Sequence, residues 1–68
     1  MILYRYLTGP DDKAFCHRIT AAINSGWQLW GQPTLAFDSE QKRMICGQVI
    51  MKEVPGETYD SSTDLSKY

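Results

Sequence analysis

Three side chains here are of the soft-ligand and thiol-nucleophile types, Cys16, His17 and Cys46. Adjacent residues on a helix project roughly 100° apart, so Cys16 and His17 do not readily share one ion. A structural zinc site takes four ligands, commonly in a paired C-x₂₋₄-C spacing, and that spacing is absent. No metal and no cofactor are therefore expected. A nucleophilic thiol needs a neighbouring base. On the helix read below, His17 projects to the polar side and Cys16 lies at the edge of the apolar stripe. The simpler reading makes both thiols small buried residues and His17 a surface residue, with no catalytic residue assigned.

Other groups offer weaker chemistry. Thr8-Gly9-Pro10-Asp11-Asp12 opens a helix, a place where phosphate often binds, but two aspartates stand where the anion would sit. A cation there is less economical than a solvated first turn whose acids face the positive helix end. Tyr4, Tyr6, Trp27 and Trp30, with Arg5 and Arg43, are the residue types that stack nucleic-acid bases. Charge argues against it: six basic residues stand against five acidic ones over 1–54, whereas nucleic-acid modules are far more basic. Core and interface packing accounts for the aromatics without a nucleic-acid partner. Gln28, Gln32, Thr34 and Gln48 lie beside the tryptophans. Amides beside aromatic walls suit a small neutral ligand, and cross-strand pairing explains them equally well. With Trp30 they form the candidate ligand or interface set.

The elements that must position these groups follow from pattern. Residues 2–7 are aromatic and aliphatic and read as a strand, with Ile2, Tyr4 and Tyr6 on one face and Leu3, Arg5 and Leu7 on the other. A helix over 10–25 follows, capped by Thr8 or Gly9, with Pro10 in its first turn. Phe15, Ile19, Ala22 and Ile23 form its apolar stripe. Asn24-Ser25-Gly26 stops it, Gly26 taking the left-handed conformation. Trp27 to Phe37 reads as a strand broken by a bulge or bend at Gly31 and Pro33. Asp38 to Lys42 is a hairpin turn. Residues 43–54 are the longest apolar run and the central strand, with Gly47 marking a close approach by another group.

One crossover helix and one hairpin give an α+β fold of order β-α-β-β. Its antiparallel sheet has spatial order 1-3-2, and one helix covers one face. Residues 1–54 form this single domain. Residues 55–68 form a polar tail, expected to be mobile, whose Tyr59, Leu65 and Tyr68 are able to dock on a neighbouring surface. If Trp27, Leu29 and Phe37 lie under the helix, Trp30 points away from it. The uncovered face then carries aromatics, which predicts a homo-oligomer, most simply a dimer. Two cysteines are too few for a disulfide scaffold. Neither a signal peptide nor a run of roughly 18 apolar residues is visible. The expectation is a soluble cytoplasmic protein with no membrane partner.

Tyr4-Arg5-Tyr6-Leu7-Thr8-Gly9-Pro10-Asp11-Asp12, Phe15-Cys16-His17-Arg18-Ile19, Gly26-Trp27-Gln28-Leu29-Trp30-Gly31-Gln32-Pro33-Thr34 and Ile45-Cys46-Gly47-Gln48 together resemble a family of short bacterial proteins, domain of unknown function 1737. The resemblance covers roughly residues 2–54 and misses the tail. It implies a small bacterial domain and brings no catalytic motif. An oligomeric interaction or accessory module is favoured over an enzyme. The alternative is a small-molecule binder or enzyme with its site in an inter-subunit cleft near Trp30.

Overall fold

In the computed structural model, which describes residues 1–68, the chain runs β1 (Ile2–Pro10), α1 (Lys13–Asn24), β2 (Gln28–Asp38) and β3 (Arg43–Glu53). A short 3-10 turn follows at Leu65–Lys67. The sheet order is β1-β3-β2, with β3 antiparallel to both neighbours. This is the α+β topology that the pattern predicts. Proline places the strands: Pro10 sits in β1 and Pro33 in β2. Lacking an N–H, proline belongs on edge strands, and proline-free β3 takes the centre.

The helix starts later than the pattern implies. Pro10 still pairs with Ile45 in the ladder, so the backbone stays extended past Thr8 and Gly9. The cap is instead Asp12, whose Oδ1 accepts from the Phe15 backbone N–H at 3.0 Å. At the other end Gly26 has φ 97°, the left-handed conformation expected there. The Trp27 N–H then donates to the Ala22 carbonyl at 3.0 Å. That bond delivers Trp27 directly beneath the helix that has just ended.

Leu3, Leu7, Trp27 and Ile50 form the core, and Phe15, Ile19 and Ala22 of α1 pack on it. The helix covers less than expected. Ile23 is 46% exposed, and Leu29 and Phe37, candidates for burial under α1, are 50% and 61% exposed. The helix packs on the cluster of Leu3, Leu7, Trp27 and Ile50, and every residue of β2 except Asp38 stays exposed. The thiols differ from expectation for the same reason. Cys16 is exposed and Cys46 half-buried. The edge of the helical stripe looks into an open groove lined by Phe15, Cys16, Ile19, Thr20, Pro33 and Gln48.

The tail also departs from expectation. Leu65 and Tyr68 pack against the core of their own chain. Lys52 Nζ donates to the Tyr68 carbonyl at 3.4 Å, and the Tyr68 hydroxyl donates to Glu57 Oε1 at 2.9 Å. Met1 N donates to the Val54 and Glu57 carbonyls at 2.7 and 3.0 Å. Two apolar anchors and these bonds hold a segment that composition alone reads as mobile.

Candidate functional site: the open face of the sheet

Residues paired across antiparallel strands project to the same face. Tyr4 pairs with Met51 and Met51 with Gln28; Tyr6 pairs with Val49 and Val49 with Trp30. These rows lie on the face away from α1. Ile2, Tyr4, Tyr6 and Trp30 are 66%, 57%, 48% and 64% exposed there. Charge on this face is confined to its ends, at Glu53 and at the Asp38–Arg43 pair.

Its centre is built around a missing side chain. Gly47 lies between Thr8 and Thr34 in register. The Tyr6 hydroxyl crosses it to meet Thr34 Oγ1 at 2.7 Å. A Cβ on Gly47 would stand 2.6 Å from that hydroxyl. The close approach that a strand glycine predicts is thus an aromatic side chain lying over the backbone.

The bulge positions Trp30. The register shifts between Trp30 and Thr34, where Gly31 has φ 74°, a conformation open to glycine at little cost. Gln48, buried on the helix side, braces it. Its Nε2 donates to the carbonyls of Trp30, Gly31 and Val49 at 3.4, 3.3 and 3.0 Å. The four-residue step from Trp30 to Thr34 on β2 therefore matches a two-residue step from Val49 to Gly47 on β3, so the facing parity is kept and Trp30 stays on the open face.

The candidate residues separate into three places. Trp30 and Gln28 come together in a groove of about 370 Å³ with Ile2, Met51, Lys52 and Glu53. Thr34 shares the face but lies farther along it, bonded to Tyr6. Gln48 is on the opposite face with its amide committed to the bulge, and Gln32 is exposed in the bulge itself. Nothing in the local sequence assigns Met51 and Glu53 to this groove. Counting back from the hairpin pair Asp38–Arg43 finds them only when the size of the bulge is known.

The chemistry of this face is apolar contact. The groups with displaced pKa values lie elsewhere: Cys46, Asp60, Asp64 and Tyr68. Burial pushes the Cys46 thiol up, and the nearby Asp11 adds to this. A thiol so shifted is a poor nucleophile at neutral pH. No group of three or more His, Cys, Asp or Glu side chains is placed to hold a metal ion. No helix is long and apolar enough to cross a membrane.

A family model described as Domain of unknown function (DUF1737) matches residues 1–53, spanning the helix and all three strands. No curated protein and no solved structure matches the chain.

Proposed function

Since the chain belongs to the DUF1737 family by a match over residues 1–53, which carries no assigned activity, we propose from its surface that it is a homo-oligomeric interaction or accessory module. Two copies pack open sheet face to open sheet face. The supporting observation is surface area. A folded monomer of 7.8 kDa is expected to expose about 4,400 Å², whereas this chain exposes 5148 Å². The difference, roughly 750 Å², is close to the ~800 Å² that each partner buries in a standard interface.

The occupant is a second copy because the face carries charge only at its ends and presents aromatics on both edge strands, Tyr4 and Tyr6 on β1 and Trp30 on β2, flanking Met51 and Val49 of β3. A two-fold axis between the sheets, parallel to their planes and across the strands, sets opposite ends of the two copies together. It keeps the two Glu53 carboxylates apart. Face-to-face sheets pack about 10 Å apart, a spacing that Tyr4, Tyr6 and Trp30 side chains fill.

Size-exclusion chromatography with light scattering tests this at micromolar concentration. The expected mass is twice that of one chain, falling to one in Trp30→Ala with the circular-dichroism spectrum kept. A monomeric parent chain overturns the reading. Trp27→Ala serves as the contrast. It removes a core aromatic, costs about 3–5 kcal/mol, and should abolish folding rather than assembly alone.

One observation favours a second reading. The groove holding Trp30 and Gln28 encloses about 370 Å³, within the range of small-molecule sites. A neutral ligand with an apolar body would lie on Trp30 and bond the Gln28 amide. A thermal-shift hit that persists in a monomer and vanishes in Gln28→Ala would favour it.

A further inference from the structure

A second groove lies on the opposite face of the sheet, between β1, the C-terminal half of α1 and the returning tail. Arg5, Arg18, Ser25, Trp27, Ser66 and Tyr68 line it, and it encloses about 300 Å³. Arg5 is half-buried, with its guanidinium 5.8 Å from the centre of the Trp27 ring. Arg18 stacks at 5.9 Å over Phe15 and donates one Nη1 bond to the Thr8 carbonyl at 2.9 Å. Neither arginine forms an ion pair; the chain's one ion pair joins Arg43 to Asp12 at 3.9 Å. Arginine does not shed its proton in a protein. Two fixed positive charges therefore face one concavity with no carboxylate bound to them.

The surroundings leave that charge available. The C-terminal end of a helix is the negative pole of its dipole and would oppose an anion nearby. Here its carbonyls are already engaged. Ala21 accepts from Ser25 N and Oγ, Ala22 from Ser25 N and Trp27 N, and Ile23 from Gly26 N. Lys52 Nζ covers the Ser25 carbonyl at 2.7 Å. Asp64, close by in the tail, accepts from Ser66 N and Oγ at 3.0 and 2.6 Å; it forms no salt bridge to either arginine, although the Arg5 charge helps hold its carboxyl ionised. The serine hydroxyls donate to Ala21 and Asp64, so the guanidiniums supply the free donors of the groove.

We propose that this groove binds a small organic oxyanion, with its carboxylate or phosphate held by Arg5 and Arg18 and its planar body lying against Tyr68, beside the edge of the buried Trp27. Guanidinium is suited to this because its forked N–H groups match both oxyanions in paired geometry. The site is on the other side of the sheet from the face assigned to assembly. Either proposal stands if the other fails.

The test uses the full chain with Trp30→Phe, which leaves Trp27 as the only tryptophan, titrated with phenyl phosphate, benzoate and inorganic phosphate. The expected result is a saturable change in Trp27 emission with phenyl phosphate or benzoate, reversed by competing inorganic phosphate. Tighter binding of phenyl phosphate identifies a phosphate ligand, and tighter binding of benzoate a carboxylate. Arg5→Gln and Arg18→Gln should each weaken binding at least about tenfold, with Arg43→Gln unchanged. An equal loss in Arg43→Gln overturns the proposal, as does no loss in either groove variant. Because Arg5 packs on a core tryptophan, a second measurement avoids substitution there. Phenyl phosphate or benzoate should raise the melting temperature of the unmutated chain with concentration. No rise with either, up to about 10 mM, also overturns it.

Discussion

The Tyr6 hydroxyl and Thr34 Oγ1 meet at 2.7 Å across the backbone of Gly47, joining the two edge strands over the central one. No backbone hydrogen bond links β1 to β2, because β3 lies between them. This side-chain bond supplies the link, and it exists only because residue 47 has no Cβ.

Gly47→Ala should therefore destabilise the fold. The new Cβ would meet Tyr6 Oη at 2.6 Å, Tyr6 Cε1 at 2.8 Å and Thr34 Oγ1 at 2.8 Å. Overpacking of this kind costs about 1–3 kcal/mol. In a Tyr6→Ala background two of the three clashes are gone, and the same change should cost much less. Equal costs in both backgrounds, read from urea unfolding, would show that the tyrosine is not what occupies the space.

Gln48→Leu keeps the volume but removes the donor that serves the Trp30 and Gly31 carbonyls. Stability should fall by about 1–3 kcal/mol, the range for leaving buried polar groups unpaired. The bulge should also loosen. Amide exchange should quicken at Gly31, Gln32 and Thr34 and stay unchanged at Leu3 and Leu7. Uniform quickening across the sheet would instead mark a global effect.

The 3-10 turn of the tail should loosen in acid. Its hydrogen bonds with Ser66 hold the Asp64 carboxyl below its ordinary value of 3.8. A carboxyl depressed in the folded state favours the capped turn above the unfolded-state pKa, and that contribution is lost as pH falls through the folded value. The Ser66 amide resonance should titrate with a midpoint below 3.8; a midpoint at or above it would sink the assignment. Leu65→Ala should release the same segment at neutral pH. The cost is roughly 1–2 kcal/mol, below that of a fully buried leucine.

The thiols should react unequally. Cys16 is exposed, whereas Cys46 is half-buried, with its pKa raised by burial and its Sγ donating to the Gly9 carbonyl at 3.5 Å. Iodoacetamide near pH 8 should label Cys16 at least about tenfold faster, because the thiolate is the reacting form. Peptide mass mapping over a time course gives both rates. Equal rates would place Cys46 at the surface.

Much of the fold is legible in local chemistry. Gly26 after a helical stripe specifies a left-handed stop and sends Trp27 inward. Pro33 beside Gly31 specifies a bulge on an edge strand. Gly47 in an apolar strand specifies a close neighbour. The cap is less legible, since Thr8, Gly9 and Asp12 are all capping types, and only the Pro10–Ile45 pairing removes the first two. By sequence the candidate residues form one cluster around Trp30. Gln48 leaves that cluster because alternation turns it to the helix side, where its amide meets the bulge.

What the sequence determines by itself is the order of elements, the central place of the most apolar strand, and the opposite facing of Trp27 and Trp30. Each follows from spacing along the chain: period two in strands, period 3.6 in the helix, and turns at glycine and proline. Tertiary structure alone decides which apolar residues one short helix covers, how many residues the bulge adds, and where the tail lies. These depend on distances between segments far apart in sequence. Leu29 and Phe37 carry the same apolar signal as Leu3 and Leu7, and only the packing of α1 on the core cluster separates the exposed pair from the buried one. Arg5 and Arg18 likewise share a groove because the helix folds back along β1 and the tail closes beside them, a meeting that no spacing in the chain encodes.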